Sequence, residues 1–332
     1  MDNMFSQTNQ NQKSIGWLLL ILVGYELAAV FAFNFLGLMM LLPFYDFDLQ
    51  IVTAMLGKPV AYPKAKIPML VLLGVSAVGT FILTPAWVVH KYAKIELKKF
   101  ITIPKFYFKT ALITIALIIS FAGVNTVIIE WNKALQLPAF LSEFEHYAQA
   151  QELKLAELTE FLTDFESTGH FLLCMLVVAI IPALGEEFLF RGILQNILRS
   201  AVKNPHIAIW ASALIFSLFH NQFYGLVPRM LLGAIFGYLY YWSGSLFLSV
   251  LGHFINNGLT LIFIFLFQKG LISFDLLGHE INFDTYILLI FFIFTICLLF
   301  ILRKLYFMNE QGLAKSFCGH FCPPGRNCKG NS

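Results

Sequence analysis

Long uninterrupted apolar runs dominate this sequence and restrict the folds that it can adopt. A membrane-spanning helix needs about 20 mostly apolar residues, and lipid offers the backbone no hydrogen-bond partners, so an isolated spanning segment must be helical. Only 12% of the 332 residues are charged and the net charge is +3, whereas a soluble domain averages about 25% charged residues. The sequence therefore predicts an all-α, polytopic membrane bundle and no nucleic-acid partner.

The apolar runs predict about eight transmembrane helices within one membrane domain, residues 15–304, flanked by tails at 1–14 and 305–332. The apolar core of a signal peptide has about 7–15 residues. The first run is longer, so we expect it to be a retained membrane helix and not a cleaved signal peptide. The predicted spans are 15–42, 67–90, 107–130, 170–199, 205–222, 226–242, 245–267 and 284–302.

The distribution of lysine and arginine predicts the orientation of these spans. An even number of spans places both termini on one side. The loops on that side, above all the lysine-rich loop 91–109, carry about twice as many basic residues as the opposite loops. Basic loops stay in the cytoplasm, so we expect cytoplasmic N- and C-termini.

The segment 133–168 differs from its surroundings because it is acidic and only partly apolar. Its leucines and phenylalanines recur at helical spacing, which predicts an amphipathic helix on the non-cytoplasmic face. Such a helix either covers the end of the bundle or lies on the membrane.

Three ionisable residues lie within the fourth apolar run, in the stretch ALGEEFLFRG. Each charge at the centre of a span costs about 2.5–3.5 kcal/mol on insertion scales, so these groups need partners. Glu187 and Arg191 are four residues apart on one helix face, which predicts a structural ion pair. Glu186 is rotated by about 100°, so it is left for another role, such as general acid or base. The simpler interpretation, an ion pair that only fixes helix packing, explains Glu187 and Arg191 but not Glu186.

Two later runs carry polar residues at a similar depth. His220 lies one turn after Phe216, and His253 shares a helix face with Asn257 while Asn256 points elsewhere. A lone histidine in an apolar helix is usually a packing residue. Counting along the helices nevertheless places Glu186 and both histidines near the middle of the bilayer, where they can meet in one cavity.

Other polar and small residues in the spans have simpler interpretations. Glu26 is expected to face the bundle, and Arg229 is expected to extend towards the membrane surface. Gly233 and Gly237 form a small-residue face that suits close helix packing. Pro182 frees a backbone carbonyl ahead of the two glutamates.

Taken in order, EEFLFR, FSLFH and HFINN resemble the EExxxR, FxxxH and HxxxN motifs of the CPBP family of CAAX proteases and bacteriocin-processing enzymes, also called the Abi family. The resemblance covers about residues 170–260. It implies an intramembrane CAAX-type endopeptidase acting on a membrane-associated or lipid-modified protein or peptide. By carry-over, Glu186 and His220 activate water, His253 and Asn257 hold the oxyanion, and Glu187, Arg191 and Phe216 position the site.

The alternative to this metal-free activation of water is a mechanism that uses a bound metal ion. Glu186, His220 and His253 can supply three zinc ligands and leave one position for water. The HExxH spacing of zinc proteases is absent, and the family resemblance favours a metal-free mechanism, so no cofactor is the preferred prediction. Separately, Cys318, His320, Cys322 and Cys328 in the tail are four potential zinc ligands, but their spacing fits no common zinc finger, so a reduced, solvated tail is the preferred prediction.

Two other functions remain compatible with the sequence. A non-catalytic protein, for bacteriocin immunity or scaffolding, can use the same fold. A proton-coupled transporter also places Glu and His within a membrane, although no inverted repeat is visible in this chain.

Overall fold

The computed structural model describes residues 12–100, 107–273 and 284–320, and in this part of the chain all regular secondary structure is helical, with no strand. Of the four potential zinc ligands in the tail, Cys322 and Cys328 lie outside the described residues, as do the side chains of Cys318 and His320. The helices are α1 (Gln12–Leu41), α2 (Leu49–Gly57), α3 (Pro63–Ala93), α4 (Tyr107–Lys133), α5 (Ser142–Thr163), α6 (Thr168–Val202), α7 (Pro205–Phe219), α8 (Leu226–Ser243), α9 (Leu246–Gln268) and α10 (Thr285–His320).

Seven of the described helices are long and apolar enough to cross a membrane, and α7 is a shorter apolar helix at the position of the fifth predicted span. The chain is therefore a multi-pass integral membrane protein with an all-α bundle, as the apolar runs predict. The fifth span ends earlier than expected. Phe219 is the last residue of α7, and Asn221 in the following turn has a left-handed backbone with φ of 52°.

Helix α6 carries the two glutamates through the interior of the bundle and packs against α3, α7, α8 and α9. Two π-helical turns, Met175–Ile180 and Phe188–Leu194, interrupt its α-helical geometry. Gly185 permits the close approach to α3, because a Cβ there would lie 2.7 Å from the Cβ of Phe81. π-Helical turns such as the two in α6 occur often at functional sites.

The acidic segment forms α5, which contacts α3, α6 and α9 at one end of the bundle. Leu162 and the following Phe165 are buried against these helices, whereas Leu153 is 67% exposed. The helix packs on the bundle with both halves, since Ala148 near its start is buried too, but its apolar face is less continuous than the spacing of leucines predicts.

Lys66 on α3 connects this helix to the C-terminal end of α5. Its buried Nζ donates to the carbonyl oxygen of Asp164 at 2.9 Å and contacts the carboxylates of Asp164 and Glu166 at 2.8 and 3.1 Å. Both carboxylates are largely exposed, so solvent screens the ion pairs. The bond from a buried ammonium to a backbone carbonyl is the contact that we expect to stabilise the fold.

Replacing Lys66 with Met should therefore lower the thermal unfolding midpoint of the detergent-solubilised protein by several degrees, since a charged hydrogen bond is worth about 1.5–3 kcal/mol. Lys64 is exposed two residues earlier, and Lys64→Met is the matched control that should leave the midpoint unchanged. Equal midpoints for the two variants would show that Lys66 does not hold α5 in place.

Candidate active site

The centre of the site is an ion pair buried inside the bundle. Arg191 Nη1 donates to Glu187 Oε1 at 2.9 Å, and neither side chain is more than 1% exposed. The second guanidinium nitrogen, Nη2, donates to the carbonyl oxygen of Gly233 at 3.0 Å. The guanidinium also faces the rings of Phe216 and Phe236, with Cζ 4.4 and 5.5 Å from their centroids. The i, i+4 ion pair predicted from the sequence is present, and α8 completes its surroundings.

The glycines of α8 admit polar side chains from α6. A Cβ on Gly233 would lie 3.0 Å from Arg191 Nη2, and a Cβ on Gly237 would lie 2.8 Å from Oε1 of Gln195. Gln195 in turn donates to the carbonyl oxygen of Gly237 at 3.2 Å. The small-residue face therefore exposes backbone carbonyls to α6, in addition to allowing close packing.

His253 joins the ion pair from α9. Its Nδ1 lies 2.8 Å from Glu187 Oε1, and its ring stacks on Phe236 with centroids 5.3 Å apart. Because Glu187 Oε1 also accepts from Arg191, the imidazole nitrogen is the donor of this hydrogen bond. The opposite nitrogen, Nε2, then points to Glu186 at 3.9 Å.

His220 follows the last residue of α7 and is oriented by its own helix. Its Nδ1 lies 2.9 Å from the carbonyl oxygen of Phe216. A carbonyl can only accept, so Nδ1 carries the proton, and in the neutral imidazole Nε2 is an acceptor. This Nε2 also lies 3.9 Å from Glu186 Oε2.

Glu186 occupies the position between the two imidazoles. It is 8% exposed, and its Oε2 has no hydrogen-bond partner among the residues that the structure describes. The separation of 3.9 Å from each Nε2 is too long for a hydrogen bond but can be bridged by a water molecule. The three groups border the central cavity, of about 340 Å³, which is also lined by Phe216, Asn256, Asn257 and Arg229.

Asn257 reaches this cavity because of a proline on α6. Pro182 has no N–H, so the carbonyl oxygen of Val178 lacks its usual helical donor. Asn257 Nδ2 donates to that oxygen at 3.1 Å, and its Oδ1 accepts from Asn256 Nδ2 at 3.0 Å. One of the two Nδ2 protons remains for a ligand in the cavity.

The comparisons with known proteins fall on this part of the chain. Residues 168–259, which supply Glu186, His220, His253 and Asn257, match the family model described as type II CAAX prenyl endopeptidase Rce1-like. This segment is similar to the CPBP family, and the converging residues Glu186, His220, His253 and Asn257 are named the CPBP site for that similarity.

Two curated relatives match a stretch of the chain of similar length. The chain is 35% identical over 91 residues to the membrane-embedded CAAX protease MroQ of Staphylococcus aureus (strain USA300), covering 26% of this chain and 37% of that protein. It is 29% identical over 85 residues to the uncharacterized protein YpbD of Bacillus subtilis (strain 168), covering 24% of this chain and 40% of that protein. The chain therefore spans well under half of the length of these relatives. No solved structure matches.

The donor atoms of the CPBP site are spaced too widely for a zinc ion as they stand. Glu186 Oε2 is 3.9 Å from both Nε2 atoms, whereas ligands of tetrahedral zinc with bonds near 2.0–2.1 Å lie about 3.4 Å apart. Among the described residues, no group of three His, Cys, Asp or Glu side chains is placed to hold a metal ion. The metal-free mechanism stays a prediction, and no step below uses a metal.

Two residues in the cavity wall depart from the sequence interpretation. Arg229 does not extend to the membrane surface: it lines the central cavity and donates from Nη2 to Gln222 Oε1. Asn256 does not point away but contacts Asn257. Helical spacing alone does not predict that Arg229 and Asn256 lie near the histidines. Only the irregular turn after α7 and the packing of α8 on α9 bring them to the site.

Gly233→Ala should destabilise the CPBP site. A new Cβ would lie 3.0 Å from Arg191, 3.1 Å from Phe216 and 3.3 Å from the Cα of Ala213, which forces α7 and α8 apart at a cost of about 1–3 kcal/mol. Gly258→Ala is the matched control, because its Cβ meets nothing closer than 3.4 Å. Thermal unfolding measures both, and the prediction is wrong if the two alanine variants unfold at the same temperature.

Proposed function

We propose that this protein is an intramembrane endopeptidase that hydrolyses a peptide bond of a membrane-associated protein or peptide in the central cavity. One observation carries the proposal: the unpartnered Glu186 carboxylate oxygen lies 3.9 Å from an imidazole nitrogen on each side. The similarity of residues 168–259 to type II CAAX prenyl endopeptidases, and of the chain to the membrane-embedded CAAX protease MroQ, supports the same chemistry.

Glu186 and His220 activate the water. With its proton fixed on Nδ1 by the Phe216 carbonyl, neutral His220 accepts a hydrogen bond from water at Nε2. Glu186 removes a proton as the water oxygen attacks the peptide carbonyl carbon. The same carboxyl group then gives this proton to the leaving amine as the C–N bond breaks.

His253 and Asn257 stabilise the oxyanion formed on the carbonyl oxygen. Asn257 offers its second Nδ2 proton. His253 donates from Nε2 only as an imidazolium, since its Nδ1 proton already bonds to Glu187. Two carboxylates face this imidazole, Glu187 at 2.8 Å from Nδ1 and Glu186 at 3.9 Å from Nε2. Donors already aimed at a developing charge are worth several kcal/mol in a water-poor cavity.

Glu187, Arg191 and Phe216 position these groups and contact no reacting atom. Glu187 orients His253, Arg191 neutralises Glu187, and the Phe216 carbonyl orients His220. A lipid-modified or membrane-embedded substrate enters from the bilayer in this proposal.

Glu186→Gln should reduce peptide cleavage by the purified protein by at least about 100-fold, because a general base contributes roughly 10²–10⁴-fold. The thermal unfolding midpoint should be retained, since no group in the described part of the chain hydrogen-bonds Glu186 Oε2. Glu26→Gln is the matched control: Glu26 is equally buried, at 8% exposure, but lies on α1 and does not line the central cavity.

Full activity of Glu186→Gln would contradict the proposal and favour the non-catalytic scaffold. Loss of proton-coupled flux without any peptidase activity in the wild type would favour the transporter. Repeating the assay with a chelator, and with zinc added back, decides the metal question separately.

We further propose that both termini are cytoplasmic. In a protein with its five native cysteines replaced by serine, Lys91→Cys should react with a membrane-impermeant maleimide only after cells are permeabilised. The exposed Lys154→Cys on α5 should react in intact cells. The reverse labelling pattern would invert the topology.

A further inference from the structure

A second, larger cavity lies directly beside the central cavity. This side cavity has a volume of about 580 Å³ and shares Arg229, Leu232 and Asn256 with the central cavity. Its remaining wall comes from α4, α5 and the turn before α8. A substrate whose scissile bond lies at Glu186 can therefore continue past Arg229 into a space bounded by α5.

Arg229 lies where the two cavities meet, and its charged guanidinium does not use all of its hydrogen-bond donors. Nη2 donates to Gln222 Oε1, but Nη1 is buried without a hydrogen-bond partner among the described residues. Arginine stays charged in proteins, and leaving a buried charged donor unpaired is costly. Arg229 is also the only Lys or Arg in the described lining of the central cavity.

The surroundings of Arg229 hold its guanidinium in place. A Cβ on Gly225 would lie 2.4 Å from Nη1, so glycine there lets the group lie against the backbone. Gln222 is fixed in turn, because its Nε2 donates to Glu152 Oε2 on α5 at 3.0 Å. The guanidinium is thus pre-oriented by residues from two other elements, which is a property of built binding sites.

The charges in the side cavity indicate which ligand fits. A guanidinium matches a carboxylate or a phosphate. Glu152 carries a second unpartnered atom, Oε1, in the same wall, and this nearby negative charge opposes a multiply charged phosphate. A short peptide satisfies both groups, with a carboxylate for Arg229 and an N–H for Glu152.

We propose that Arg229 is a specificity residue that binds a carboxylate of the substrate in the side cavity, next to the bond held at Glu186. This inference rests on the proposed function and adds the chemistry of the substrate end. The carboxylate is either the C-terminus of the peptide or an acidic side chain near it, and the test separates these sources.

The experiment uses the full-length protein in detergent and a set of unrelated synthetic 12-residue peptides. Each sequence is made in three forms: with a free C-terminus, with an amidated C-terminus, and amidated with Glu in place of the penultimate residue. The wild type should cleave the free acid or the Glu form at least about tenfold faster than the plain amide, as expected for one charged hydrogen bond. The form that is preferred identifies the source of the carboxylate.

Arg229→Gln should bring the acid-to-amide ratio close to one, mainly through KM, and Arg229→Lys should restore part of it. Lys133→Gln is the matched control. Lys133 also lines the side cavity but is exposed and ion-paired to Glu130 at 3.0 Å, so the ratio should stay at the wild-type value. A ratio near one in the wild type, or a ratio that falls with Lys133→Gln and not with Arg229→Gln, overturns the proposal.

Measurements of peptide binding distinguish between two outcomes: that Arg229 does not recognise a carboxylate, and that the protein is not a peptidase. The Glu186→Gln protein should bind free-acid or Glu peptides at least about tenfold more tightly than amides, and the added Arg229→Gln change should abolish the difference. If the wild type cleaves nothing but this preference is present, the peptidase proposal fails while Arg229 keeps its role. Equal or absent binding of all forms removes the role of Arg229.

Discussion

The buried contact among Glu187, Arg191 and His253 is the interaction on which the rest of the site depends. Removing charges from water is expensive, and breaking a buried pair by deleting one member typically costs about 3–5 kcal/mol. Here the cost is offset by contacts from three helices: the carboxylate on α6, the Gly233 carbonyl on α8 and the imidazole on α9. The charges inside the membrane therefore determine how α6, α8 and α9 are arranged.

This arrangement divides two adjacent glutamates into different chemical environments. Glu187 is fully buried and accepts two hydrogen bonds on Oε1, with its Oε2 enclosed in the interior, whereas Glu186 lines the central cavity and its Oε2 has no partner among the described residues. The histidines are divided in the same way, because each has one nitrogen held by the protein and the other directed at Glu186. The two free imidazole nitrogens and the Glu186 carboxylate are therefore arranged for a small polar molecule between them.

Short-range spacing explains which parts of this site the sequence could predict. The Glu187–Arg191 pair and the placement of Phe216 next to His220 are contacts along one helix, so periodicity was sufficient. The convergence of three spans could be estimated from depth alone. Arg229 and Asn256 could not be placed this way, because their positions depend on the turn after α7 and on the packing between α8 and α9. The exposure of Leu153 likewise depends on where α5 leaves the end of the bundle.

The bond between Asn257 and the Val178 carbonyl has a consequence for the helix that accepts it. Any residue other than proline at position 182 would bring its own amide hydrogen towards this oxygen. The Val178 oxygen would then be shared between the amide of α6 and Asn257, and the hydrogen bond that orients the Asn257 side chain would weaken. The hydrogen bond between α6 and α9 at this depth thus depends on the absence of an amide hydrogen at position 182.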